Sequence, residues 1–352
     1  MDHNLGAVVL AGVHDWGACV LNRAVVRPLA PIANRPVMEF AIDALRGVGA
    51  SRMVLCSNGH GAEMAARFAG GARGEMEIHY HDDDMPRGPA GCVRDASVWL
   101  STREIVVIEA SVLPDFDLAE LLRSHRATGA GLTVATRGQR VGHDDSQSPV
   151  GVYIVSEEAL IHVGVRGFQD IKESLIPKLH KNGVRVDAHP IDGHAPRLTG
   201  IGSYFPLNEW ALRRAMAGTW EFDGYSSGGS TLVHIDGRVE PTARLLGPVM
   251  VGPGAIVRGH AIVVGPTSIG RDAIVGDGAV VTRSALWSGA VVGNGAHVDR
   301  CIVADHARVE PNTRHFDTVC LPERRSTGRR GRFGRVRGAE GINPIPTGAP
   351  RN

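Results

Sequence analysis

Long apolar runs are missing from this 352-residue chain. No window approaches the roughly 18 consecutive apolar residues that a membrane-spanning helix requires. The opening MDHNLGAVVLAG has neither a basic leader nor an extended apolar core, which argues against a signal peptide. The default compartment is the cytoplasm, with no membrane partner. Cysteine is sparse, and Cys19, Cys56, Cys92, Cys301 and Cys320 are odd in number, widely spread and never arranged as CxxC. Neither a disulfide scaffold nor a zinc centre follows from that spacing. Net charge is missing as well. The 38 Lys and Arg nearly cancel the 37 Asp and Glu, so no global field marks nucleic acid as the partner. The balance hides an asymmetry, because Arg324, Arg325, Arg329, Arg330, Arg332, Arg335 and Arg337 crowd residues 321–352. With Gly, Pro and Ser around them and no periodicity, a basic disordered tail is expected.

What is present is a globular composition, 43% hydrophobic and 21% charged, at a length that suits two domains. The C-terminal third repeats. Stepping by six from Val239, the chain reads Leu245, Val251, Val257, Val263, Ile269, Val275, Val281 and Trp287. After a five-residue step come Val292 and Val298, then Val303 and Val309. Four residues beyond each aliphatic position stands a small or short one: Ala243, Val249, Ala255, Ala261, Thr267, Ala273, Ala279, Ala285, Val291. One hexad cannot bury its single apolar side chain, whereas stacked coils make a continuous core. A triangular β-solenoid of three hexads per coil is expected over 231–320, with Trp287 in an aliphatic slot where a flat interaction surface begins. His260, His297 and His306 lie in this region and read as solvent-facing turn residues.

Upstream, short β-branched runs alternate with amphipathic segments. Strands are expected at 6–11, 53–56, 105–108 and 132–136, and helices at 36–48, 62–68 and 118–128. Such alternation predicts an α/β domain over 1–220, a mainly parallel sheet with helices on both faces. Ligands in such folds sit beyond the carboxyl ends of the strands. The segment HYHDDDMP, at 79–86, mixes histidine with carboxylates in a metal-like way but reads as a solvated acidic loop.

Several blocks resemble the sugar-1-phosphate nucleotidyltransferases of the mannose-1-phosphate guanylyltransferase and glucose-1-phosphate adenylyltransferase type. GAVVLAGVHDWGACVLNRAVVRPLAPIANRPVMEFAI is similar to that family's opening strand, GGxGTR loop and PKPL segment. MPRGPAG resembles its GTAG loop, SPVGVYIVSEEAL its GxY strand at the sugar site, and VLPDFDLAELLRSH the helix after its metal-binding strand. FQDIKESLIPKL resembles a further block. The resemblance implies a Rossmann-like nucleotidyltransferase domain followed by a hexapeptide-repeat left-handed β-helix, and it also implies a homo-oligomer or a pairing with a paralogous enzyme subunit. The implied ligands are a nucleotide or sugar nucleotide, with Mg²⁺ if the chain is active. The residues that fall on the motifs are Gly12, Gly88, Ala90 and Gly91 for the nucleotide, and Gly151 and Tyr153 for the sugar.

The chemistry departs from the pattern. The glycine-rich loop falls on Gly12, Val13, His14, Asp15, Trp16 and Gly17, so its arginine is lost, Asp15 brings a carboxylate toward phosphate, and Val13 and Trp16 add bulk. The PKP lysine becomes Arg27. The two magnesium aspartates fall on Ser111 and Gly200. Glu109 shares a strand face with Ser111 and is the one carboxylate that could stand in. Asp115 and Asp117 read instead as the start of the next helix. Arg27 and Glu109 are therefore the candidate catalytic residues. Two readings follow: a catalytically impaired, ligand-binding or regulatory paralogue, and an active transferase with a rearranged metal site. A hexapeptide acyltransferase is a distant third.

Overall fold

The computed structural model describes residues 5–12, 15–68, 76–83, 87–137, 148–220, 222–323 and 342–344. The expected basic tail falls mostly outside these, as do Val13, His14, Met85 and Pro86. Internal packing divides the chain into two compact units: 1–14, 27–29 and 36–197 form the first, and 15–26, 30–35 and 198–352 the second.

The first unit is built on a seven-stranded sheet. Its strands are β1 (Leu5–Leu10), β2 (Arg52–Ser57), β3 (Glu77–Asp82), β4 (Glu104–Glu109), β5 (Leu132–Arg137), β6 (Pro149–Ser156) and β7 (Val186–Ile191). Their spatial order is β7-β5-β6-β4-β1-β2-β3. All neighbours run parallel except β6, which is antiparallel to both β4 and β5. β1 and β4 are buried on both faces, as their β-branched runs require. From β1 the chain moves outward to β2 and β3, then returns to place β4 on the other side of β1. That reversal makes the carboxyl ends of β1 and β4 the switch point, where Leu10 stands opposite Glu109.

Helices α1 (Val37–Gly47), α2 (Gly61–Phe68), α3 (Gly88–Leu100) and α4 (Leu118–Thr128) connect the strands. α4 shows why its sequence is a helix. Asp117 caps it by accepting from the Glu120 amide at 3.0 Å, and Gly129 ends it at φ 63°. Leu118, Leu121, Leu122 and His125 form the buried stripe. Asp115 departs from expectation. It lies in a two-residue ribbon, Asp115–Phe116, paired with Gly193–His194, because a backbone partner is at hand there. The acidic segment at 79–86 is corrected too. His79–Asp82 belong to edge strand β3, and Asp82 accepts from Ser57 Oγ at 2.5 Å and from the amides of Gly59 and Gly61 that open α2. These donors hold the Asp82 carboxyl below its ordinary pKa, the Ser57 hydroxyl foremost. Among the described residues no group of three His, Cys, Asp or Glu side chains could hold a metal ion.

The second unit carries the coils. Three parallel ladders run through it, two of five strands and a third of eight whose outermost strands, Tyr225–Ser227 and Ile342–Pro344, pair antiparallel. Val251, Val257, Val263, Ile269, Val275 and Val281 are all buried, as are Ala255, Ala261, Thr267, Ala273 and Ala279. The hexad rhythm is thus a β-helix core.

The register corrects one position. Val251 stacks on Ile269 three full hexads later, but Ile269 stacks on Leu286, one residue short of the next full turn. Leu286 therefore fills the inward slot, and Trp287 alternates to the outer face. There α5 (Ile201–Met216) covers it. Trp287 is buried, and its Nε1–H donates to Tyr204 Oη at 2.8 Å. Tyr204 in turn donates to the Pro31 carbonyl at 2.7 Å. Trp287 is an internal anchor, so no interaction surface begins there. The same shortened step makes Ala290 the buried small residue and leaves Val291 half-buried. His260 and His306 are exposed at corners with φ of 55° and 58°, as expected. His297 instead lies in a strand, half-buried, edge-on to Phe316 at 5.4 Å between ring centroids.

Two outcomes follow. Trp287→Ala should cost about 3–5 kcal/mol through the cavity it leaves, and Trp287→Phe about 1–2 kcal/mol, mainly the lost Tyr204 hydrogen bond, read from urea denaturation. Equal losses in the two variants would mean that the indole N–H carries the whole contact.

His125 gives a pH signature. It is buried, with Nδ1 at 2.8 Å from Thr133 Oγ1 and Nε2 at 2.9 Å from Ser156 Oγ. Ser156 donates onward to the Ala130 carbonyl, so it accepts from Nε2–H. Burial lowers its pKa from the ordinary value. A lowered folded-state pKa gives stability that is whole above the unfolded value of about 6.5 and is lost as pH falls through the folded value. Chemical denaturation between about pH 7 and 5 should show this decline, and His125→Gln should be less stable at neutral pH but lose less on acidification. A parallel decline in both would assign it to other groups.

Candidate functional site

The switch point gathers four of the candidate residues or their neighbours. Glu109 ends β4, and its Oε2 pairs with the Arg197 guanidinium. Its Oε1 accepts from Tyr153 Oη at 3.5 Å, a weak contact from the adjacent β6. Burial pushes the Tyr153 phenol up to about 12, so it stays a donor. Gly151, also on β6, has φ 84°, and a Cβ there would stand 3.0 Å from the Glu109 carboxyl carbon. Glycine is thus required twice, by the left-handed backbone and by the carboxylate beside it. The pair of residues expected at a sugar is therefore packed around Glu109.

Arg197 was not foreseen from the sequence. It is held by backbone: Leu113 N–H donates to the Pro196 carbonyl at 2.9 Å, and Val112 bridges Arg197 in antiparallel fashion. Burial, and then the charge of Arg27, lower its pKa from the ordinary value. Its Nε is buried with no acceptor. Arg27 itself is buried in a single 3₁₀ turn, Arg27–Leu29, packed against α1. Glu109 is thus paired with Arg197, a residue that no motif marks, and the charge of Arg27 is felt there.

The small-residue loop is engaged elsewhere. Gly88, Ala90 and Gly91 form the first turn of α3, and the Ala90 amide donates to the Gln169 carbonyl at 3.0 Å while Gln169 N–H donates to Arg87 O at 2.7 Å. Gly88, at φ 74°, lets Gln169 approach, since a Cβ would stand 2.6 Å from its carbonyl oxygen. A Cβ on Gly91 would stand 2.7 Å from that of Arg87. The backbone amide expected to meet a base is already used by the chain. Gln169 lies in the FQDIKESL block, so its neighbourhood was flagged although its role was not. Gly12 follows β1 and accepts from Asn58 Nδ2 at 3.1 Å.

In the second unit, the loop after Gly12 is closed on itself. Asp15 accepts from Gly17 N–H at 2.6 Å and Asn22 Nδ2 at 3.1 Å. Trp16 does not project as loose bulk. It is buried, donates from Nε1 to the Val25 carbonyl at 2.8 Å, and lies 6.5 Å from the Tyr204 ring.

Magnesium, which the resemblance implies, does not fit this donor set. Ser111 offers a hydroxyl and Gly200 no side chain, and Glu109 already neutralises Arg197. A divalent cation of this kind needs carboxylates beside the phosphate oxygens.

Comparison with known proteins agrees with this fold. A nucleotidyl transferase family profile matches residues 19–154, and a GMPPB C-terminal domain profile matches 245–324. Together these matches support a likeness to the sugar-1-phosphate nucleotidyltransferases, one domain profile falling on each part of the chain. Its relatives include a mannose-1-phosphate guanylyltransferase of Mycobacterium tuberculosis, 26% identical over 85% of this chain and 84% of that protein. A UTP–glucose-1-phosphate uridylyltransferase of Synechocystis is 23% identical, over 84% and 86%. A glucose-1-phosphate thymidylyltransferase of Streptomyces griseus is 24% identical, over 90% and 97%. The nucleotidyltransferase match begins at residue 19, beyond the Gly12–Gly17 loop. Among the described residues no helix is long and apolar enough to cross a membrane.

The geometry around Glu109 can be tested by Gly151→Ala. Forcing alanine into the left-handed region should cost about 1–2 kcal/mol, with a further loss from displacing the carboxylate. In a Glu109→Ala background only the backbone part should remain. Equal costs in both backgrounds, by thermal or chemical denaturation, would show that Gly151 does not press on Glu109.

Proposed function

We propose that this nucleotidyltransferase-like chain binds a nucleotide or sugar nucleotide at the β1–β4 crevice and does not perform the transfer at a useful rate. The observation that carries this reading is the Glu109–Arg197 pair. Transfer between a sugar phosphate and a nucleoside triphosphate depends on positioning and on neutralising the charge of the departing pyrophosphate. Losing one such electrostatic contact typically costs about 10²–10³ in rate. Here the loop arginine is replaced by Gly17, the metal carboxylates by Ser111 and Gly200, and the nearest substitute carboxylate already has a cationic partner. Losses within one site are not additive, yet several together leave little catalysis. The matched relatives act with guanosine, uridine and thymidine nucleotides by their names, so the base is left open.

An active transferase with a rearranged site is the second reading. Its support is that Glu109 pairs with Arg197 at the switch point and the charge of the buried Arg27 acts on the same guanidinium, a carboxylate and a cation where the family's chemistry falls. Pyrophosphate release separates the two. The full chain, given GTP, UTP, dTTP or ATP with mannose 1-phosphate or glucose 1-phosphate and magnesium, should release none above the buffer blank. Release that Glu109→Gln or Arg27→Ala abolishes would establish the active transferase.

A further inference from the structure

The misfit between this site and a divalent cation has a structural counterpart. Where the family's first metal aspartate falls, at the end of β4, the chain has Ser111, and two residues earlier Glu109 holds a guanidinium. Arg197 lies three residues ahead of Gly200, on which the second aspartate falls. It reaches Glu109 because the 196–197 backbone is bonded to 112–113. A fixed cation thus stands on the one remaining carboxylate of the strand end.

We propose that the Arg197 guanidinium, seated on Glu109, takes the place of the divalent cation and receives a phosphate of the bound nucleotide or sugar phosphate directly, without metal. This rests on the reading that the crevice binds such a ligand. Three features support it. A guanidinium has five N–H donors in a planar fork suited to phosphate oxygens, and Glu109 engages only one end of it. The Arg197 Nε–H is buried without an acceptor, an arrangement that a folded chain normally avoids. Arg27 adds a second positive charge close enough to depress the Arg197 pKa, which favours an anion at this point. The carboxylate beneath it is touched weakly by Tyr153 and given room by the absence of a Cβ on Gly151. A guanidinium supplies charge with direction, and it needs no chelatable ion.

The test is calorimetry on the full chain with GDP, UDP and dTDP, each with excess magnesium and again with EDTA. For whichever probe binds, the two Kd values should agree within about two-fold, while Arg197→Met should weaken binding by about 10–100-fold in both conditions, the range for a lost charge-assisted hydrogen bond. Because Arg197→Met leaves Glu109 unpaired and can fail to fold, the double variant Glu109→Gln/Arg197→Met is measured beside it and should show the same loss. Arg197→Lys should recover part of the affinity. Binding that EDTA abolishes in the unaltered chain overturns metal replacement and leaves ligand binding standing. Unchanged affinity in the folded double variant overturns the role of Arg197. No binding of any probe by the unaltered chain overturns both this proposal and the ligand-binding function.

Discussion

A carboxylate at the end of a buried strand must be neutralised, and in this protein an arginine does it. Glu109 terminates β4 beside β1, where a doubly covered parallel sheet opens toward its ligand side. Left alone there, the charge would lose hydration without compensation. Arg197 supplies the compensation, and the surroundings are arranged to allow it. Gly151 removes the Cβ that would collide with the carboxyl group, Tyr153 adds a weak donor, and the 112–113 and 196–197 segments are joined so that the guanidinium arrives at the right place. The magnesium that the resemblance implies would need carboxylates that Ser111, Gly200 and an arginine-paired Glu109 do not offer.

Other positions on which the family's ligand contacts fall show the same self-sufficiency. The Ala90 amide is bonded to Gln169, and Asp15 accepts from Gly17 and Asn22. Trp16 is packed inside rather than left in the loop. Breaking either set of contacts would cost about as much as a ligand contact returns.

In the second unit, one residue deleted from the hexad rhythm has a large consequence. The short step between Ile269 and Leu286 turns Trp287 outward, and its indole then reaches Tyr204 on α5. A continuous count of six puts the tryptophan in the core slot because it cannot say which coil lost a residue. Only the pairing register settles that, since a one-residue slip sends a strand side chain to the opposite face.

The elements of this protein were legible before any coordinates. Period-two and period-six hydrophobic patterns are imposed locally by strand geometry, so β1, β4, α4 and the solenoid coils could be placed within a residue or two. The motif positions, Gly12, Arg27, Gly151 and Tyr153, came instead from the resemblance, and Glu109 from sharing a strand face with Ser111. The partnerships were not legible. Arg197 lies 88 residues from Glu109 in the chain, and Gln169 meets Ala90 across a comparable gap. Periodicity carries no information about which distant side chains share a charge or a hydrogen bond. Sequence alone determined the strand–helix alternation, the coil repeat and the identities of Ser111 and Gly200. Tertiary structure alone decided that the surviving carboxylate belongs to an arginine, because only folding brings those two charges together.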